Sequence, residues 1–164
     1  MSETPTTADI ILDRVMRGSD SRRCVDWAIG LLESGRDDDY ICRLAGQTSP
    51  YDDSKIHELR DRVLKELGFE EISNEELVGF AIARRLQSAT GEELKIHNTL
   101  TTACNLYRTY NYDDLETLYW LALGIDSLDH YGDQNYVDDM NSENADTIRD
   151  QIINEFITRY PELE

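Results

Sequence analysis

His97 and His130 each follow a carboxylate, Glu93 and Asp126, by one helical turn, a spacing that can support metal or acid–base chemistry. Side chains four residues apart lie on one face of a helix, where a carboxylate and an imidazole can hold a divalent ion together. The richer of the two groups comprises Asp126, Asp129, His130 and Asp133. These residues predict a metal site, and with it a metal-dependent hydrolase-like enzyme as one alternative function.

The same group has a simpler explanation in so acidic a chain. With 34 acidic residues such spacings arise by chance, and a histidine in the last turn before Gly132 is favoured by the helix dipole. The sequence has no His-Glu-x-x-His, no pair of Glu-x-x-His motifs, no P-loop, no Gly-x-Gly-x-x-Gly and no EF-hand loop. We therefore assign no catalytic residue and no cofactor, and we favour a non-enzymatic function.

The net charge of -18 is the most unusual property of the chain, and it is unevenly distributed. Residues 111–164 hold 14 acidic and 2 basic residues, a net charge of -12. Such a field repels phosphates and favours encounter with basic surfaces. We therefore expect no nucleic-acid binding. The leading hypothesis is a protein-interaction module that binds a basic protein through its acidic C-terminal third, for example as an immunity or inhibitor-like protein that blocks a nuclease.

Aromatic residues are interleaved with this acidic segment. Tyrosine brings a large contact area at a low entropy cost, so tyrosines beside carboxylates can form a recognition surface. The candidate partner-binding residues are Tyr112, Tyr131, Asp133, Tyr136, Asp138 and Asp139. Tyr107, Tyr119 and Trp120 are instead interpreted as core residues.

The cysteines and the N-terminus indicate a cytoplasmic protein. Cys24, Cys42 and Cys104 are odd in number and widely spaced, so they are interpreted as buried thiols in a reducing compartment. The first eight residues lack the basic and apolar regions of an export signal. No apolar run approaches the roughly 18 residues of a membrane span, so we expect no membrane association.

The elements that must position these residues are helices. Apolar residues repeat at intervals of three and four, and Pro and Gly are few, which predicts an all-α protein: an irregular helical bundle of about seven to eight helices, forming a single domain over residues 1–164. Capping boxes are expected at Ser73 with Glu76 and at Thr90 with Glu93, and Ser142 is expected to cap the last helix.

The helix that begins near Asp113 carries the most apolar stripe and is expected to lie centrally. The stripe consists of Leu115, Leu118, Tyr119, Ala122 and Ile125, with Trp120 and Leu121 beside it. A polar loop is expected from Asp133 to Asn141. A third hypothesis is a regulatory domain that forms homo-oligomers through the Trp120 helix.

Residues 25–46 resemble a short pattern found in small uncharacterised bacterial proteins. The pattern consists of Trp27-Ala28, Leu31, Gly35 and an acidic residue, followed by Leu44-Ala45-Gly46. Here Asp37-Asp38 replaces the usual Asp-Ser pair. Some of these proteins are encoded near toxin–immunity systems, so the resemblance implies binding rather than catalysis and transfers no catalytic residue.

Overall fold

The computed structural model describes residues 4–16, 18, 20–70 and 72–161. Within these ranges the chain forms eight α-helices and one 3₁₀ turn and contains no strand, which confirms the predicted all-α helical bundle. The helices are α1 (Thr7–Val15), α2 (Ser21–Glu33), α3 (Asp39–Ala45), α4 (Asp53–Glu66), α5 (Asn74–Ser88), α6 (Glu93–Tyr110), α7 (Glu116–Tyr131) and α8 (Ala145–Thr158). None of them is long and apolar enough to cross a membrane.

The chain divides into two compact units, Met1–Ala81 and Ile82–Glu162, and α5 contributes residues to both. The single domain over residues 1–164 stays a prediction. The candidate partner-binding residues all belong to the second unit.

The first unit is built around Trp27, whose side chain is only 1% exposed. Its indole Nε1 donates a hydrogen bond to the Thr7 hydroxyl at 3.2 Å, which ties α2 to α1. Asp20 caps α2 by accepting a hydrogen bond from the Arg22 backbone N–H, and Asp52 caps α4 in the same way. Ile29 lies on the exposed face of α2.

The second unit contains a hairpin of α6 and α7, and α7 also packs against α8. The central position predicted for α7 in the whole protein stays a prediction. Its buried face agrees with the predicted stripe at Leu118, and Leu121 beside the stripe is buried too, but Ala122 and Ile125 are half-buried and Gly124 is buried instead. Because Trp120 lies about 200° around the helix from Leu118, the two cannot share a buried face. Trp120 is 38% exposed, so its interpretation as a core residue is wrong.

The capping predictions had mixed outcomes. The Ser73 and Glu76 box is present, and hydrogen bonds from the Ser73 hydroxyl and backbone N–H hold the pKa of Glu76 below its usual value. The Thr90 box is wrong, because the Thr90 hydroxyl donates to the carbonyl of Gln87 at the end of α5.

The predicted cap at Ser142 is also wrong. The Asn144 side chain accepts a hydrogen bond from the backbone N–H of Asn141, and the turn that this bond closes delays the start of α8 to Ala145.

The expected polar loop is present between α7 and α8, and one side chain organises it. The Gln134 amide nitrogen donates to the carbonyls of Val137 and Met140, at 2.8 and 2.6 Å. Its amide oxygen accepts from the backbone N–H groups of Tyr136 and Val137, at 2.8 and 2.9 Å. Met140 is buried beneath the loop. The loop is therefore a fixed structure on the surface of α7.

We predict that Gln134→Ala destabilises the protein by about 1–3 kcal/mol, because part-buried loop carbonyls and N–H groups lose their partners. Urea denaturation measures the free energy of unfolding. The matched control is Gln151→Ala on α8, whose exposed side chain bonds to Glu155, and whose removal should change stability by no more than about 0.5 kcal/mol. Equal effects of the two substitutions would rule out an organising role for Gln134.

Candidate protein-binding surface

Four aromatic side chains of the second unit form a continuous row. Tyr107 of α6 lies 4.7 Å from Tyr119 of α7, measured between ring centroids, and Tyr119 lies 4.9 Å from Trp120. Trp120 in turn stacks on Tyr136 of the loop at 6.1 Å, with the ring planes 12° apart. We call Tyr107, Tyr119, Trp120 and Tyr136 the aromatic row.

The outer end of the aromatic row is open to solvent, since Trp120 is 38% and Tyr136 44% exposed. Carboxylates lie along it. The Trp120 indole Nε1 lies 3.4 Å from a carboxylate oxygen of Glu116. Desolvation and the negative charges of Glu116 and Asp113 raise the pKa of the Tyr107 hydroxyl. The row thus combines exposed aromatic faces with a negative electrostatic environment.

The loop that carries Tyr136 also carries three of the predicted binding residues. Asp133, Asp138 and Asp139 are all exposed. The Asp133 carbonyl accepts a hydrogen bond from the Ser127 hydroxyl at 2.7 Å, and the Asp139 carbonyl accepts one from the Asn144 side chain at 2.8 Å. Backbone bonds thus hold Asp133 and Asp139 in place, and one carboxylate oxygen of Asp133 also accepts a hydrogen bond from the Gln134 backbone N–H at 2.8 Å.

The remaining two predicted residues lie outside the aromatic row. Tyr131, at the end of α7, is 84% exposed and contacts only the neighbouring His130 ring, at 6.3 Å, among the aromatic contacts of the described residues. Tyr112 is half-buried and stacks on Tyr110 at 5.4 Å. The structure therefore joins Tyr136 to a tryptophan that the sequence analysis assigned to the core. The exposure of Trp120 could have been predicted from Leu118 and Leu121, because a helix that buries these two leucines turns Trp120 toward solvent.

The alternative metal site is only partly assembled. His130 Nδ1 lies 3.3 Å from an Asp126 carboxylate oxygen and 2.9 Å from the Asp126 carbonyl, as expected for residues one turn apart. In the part of the chain that the structure describes, no three His, Cys, Asp or Glu side chains are grouped so that they could hold a metal ion. Asp126 and Asp129 both line a groove of the second unit, whereas Asp133 belongs to the loop and does not line that groove.

The cysteines differ in environment. Cys24 is buried, and desolvation raises the pKa of its thiol to about 11, which suppresses the reactive thiolate. Cys104 is half-buried, and burial raises its pKa as well. Cys42 is exposed, so the expectation of three buried thiols is wrong for this residue.

Comparison with known proteins identified no relative of this chain. No protein-family model, no curated protein and no solved structure matches the chain. The functional argument therefore rests on the surface itself.

The negative potential around Trp120 predicts selective quenching of its fluorescence. Because Trp27 is buried, collisional quenching reports on Trp120. The quantity to compare is the ratio of the caesium quenching constant to the iodide quenching constant. At low ionic strength this ratio should be at least about threefold higher for the protein than for free N-acetyltryptophanamide, since a negative surface concentrates cations. Raising the salt concentration should remove this preference. A ratio equal to that of the free compound would show that Trp120 does not lie in a negative field.

Proposed function

We propose that this protein is a non-enzymatic interaction module, and that it binds a basic segment of a partner protein through the aromatic row and the loop carboxylates. The single observation that supports this proposal most strongly is the exposed stack of Trp120 on Tyr136, in the loop that presents Asp133, Asp138 and Asp139. An aromatic face and a carboxylate are the two groups that a guanidinium binds best in proteins.

Arginine fits this surface better than lysine does. Its planar guanidinium can stack on an indole or phenol ring while its N–H groups form paired hydrogen bonds to a carboxylate. The hydrogen bonds of Gln134 and the burial of Met140 fix the loop before any partner arrives. A preformed surface loses little conformational entropy on binding.

An inhibitor or immunity protein is the particular role that we propose. A nuclease presents basic side chains to the phosphates of its substrate, and an acidic surface can occupy the same side chains. The resemblance of residues 25–46 is in line with this role, since some of the proteins that they resemble are encoded near toxin–immunity systems. A cytoplasmic location is part of the proposal and fits three free cysteines.

The test is the binding of a fluorescent arginine-rich peptide, measured by anisotropy. Replacing Asp133, Asp138 and Asp139 by Asn should weaken binding by about tenfold, since each exposed ion pair contributes about 0.2–1 kcal/mol. Trp120→Ala should weaken it by a further factor of about three, and a lysine-rich peptide should depend less on Trp120. Affinity should fall steeply as the Debye length decreases from about 10 Å at 0.1 M salt to about 3 Å at 1 M salt.

The matched control removes the same charge from the first unit. Glu33→Gln, Asp37→Asn and Glu58→Gln change exposed carboxylates and leave the net charge equal to that of the loop variant. If the two triple variants lose affinity equally, the peptide responds only to overall charge and the proposed surface is wrong. Affinity that is insensitive to salt would contradict the proposal as well.

A further inference from the structure

A second feature of the second unit, separate from the aromatic row, is a groove of about 620 Å³ between α6 and α7. Its floor on the α6 side is formed by Ile96, Leu100 and Cys104, at positions i, i+4 and i+8 of one helical face. These three residues extend about 12 Å along the helix axis, or slightly more than two turns. The floor is thus an apolar stripe that follows one face of α6 for slightly more than two helical turns.

The opposite side of the groove comes from α7. Leu123, Ala122 and Ile125 line it and are each half-buried, so part of their apolar surface faces solvent. Leu94 lies at one end of the groove and is 73% exposed, the most exposed of the aliphatic side chains in the described part of the chain. Such exposed apolar surface at a concave site marks a binding groove rather than an ordinary surface.

Carboxylates surround this apolar floor. They are contributed by α6, α7 and α8, and comprise Glu93, Asp126, Asp129 and Asp146. The one arginine of the lining, Arg149, contacts the carboxylates of Glu93, Asp146 and Asp150 at 2.7, 3.2 and 2.9 Å. Its positive charge is compensated within this cluster, so the rim remains acidic.

We propose that this groove binds a basic amphipathic α-helix of a partner protein. A third helix laid along two packed helices buries apolar residues at i, i+4 and i+7 against such a floor, while lysine or arginine residues beside that stripe meet the acidic rim. A second copy of this chain is a poor occupant, because two molecules that each carry a net charge of -18 repel one another. The groove shares no residue with the aromatic row or the loop carboxylates, and this proposal does not depend on the binding of arginine there.

The experiment uses the full chain and two synthetic peptides of about 15 residues with identical composition. One peptide has leucines at i, i+4 and i+7 between lysines, and the other has a scrambled order that leaves it without an apolar face. Calorimetry and fluorescence anisotropy measure affinity. The amphipathic peptide should bind at least about tenfold more tightly than the scrambled peptide, with a negative heat-capacity change.

Substitutions in the groove should reduce this difference. Thr101→Arg places a bulky cation in the groove from an exposed position on α6, and Leu94→Lys removes an apolar contact at its end without disturbing the core. Thr109→Arg, at an exposed position of the same helix outside the groove, is the matched control. Thr101→Arg should weaken the amphipathic peptide by at least about tenfold and Leu94→Lys by about threefold, whereas Thr109→Arg should change its affinity by less than about twofold.

Three outcomes would overturn the proposal. Equal affinity for the two peptides would show that charge alone attracts them. Unchanged affinity in both groove variants would place the helix elsewhere, and a dimer that Thr101→Arg dissociates would identify a second copy as the occupant. Neutralising Asp133, Asp138 and Asp139 should weaken binding of the amphipathic peptide no more than the matched triple variant of the first unit does. Failure of the groove proposal can therefore be distinguished from failure of the proposal for the aromatic row and the loop carboxylates.

Discussion

The loop between α7 and α8 packs closely against α7 at residue 124, which has no side chain. A Cβ atom at this position would lie 2.6 Å from Met140 Cε, 3.2 Å from the Gln134 amide oxygen and 3.3 Å from Val137 Cγ2. A glycine inside a helix costs about 1 kcal/mol relative to alanine. Here that cost is offset by the burial of Met140 and by the hydrogen bonds of Gln134, and the same contact sets where Tyr136 meets Trp120.

Charge is the second constraint on this protein. A net charge of -18 in 164 residues opposes compaction. The side chains that oppose this repulsion are the apolar residues of each unit, such as Trp27 in the first and Phe156 in the second, which are both 1% exposed. A basic partner would relieve part of the repulsion as it binds, so the same charges that weaken the free protein favour the complex.

The class of fold could be predicted from the sequence because local patterns determine it. The three- and four-residue apolar repeat, the Asp20 and Asp52 caps and the Ser73 capping box all act within one or two helical turns. The capping errors at Thr90 and Ser142 were decided within one helical turn, whereas the errors at the candidate surface arose where a distant segment decides the outcome. Trp120 was assigned to the core because α7 is apolar around most of its circumference, and the stacking of Tyr136 depends on a loop that returns to the helix 16 residues later. The acidic and aromatic composition of the surface could be read from the sequence. The positions of its residues could not, because they depend on the contact of the loop with α7 at Gly124.

The central claim is that the exposed end of the aromatic row binds the basic partner, and the two tryptophans allow a direct measurement. Titrating ¹⁵N-labelled protein with an arginine-rich peptide separates the indole N–H signals of Trp120 and Trp27, one exposed and one buried in the first unit. The account predicts that the Trp120 indole and the backbone amides of Tyr136 and Val137 shift together with a single affinity, while the Trp27 indole stays unchanged. Shifts spread evenly over acidic residues of both units, with the Trp120 indole unmoved, would contradict it.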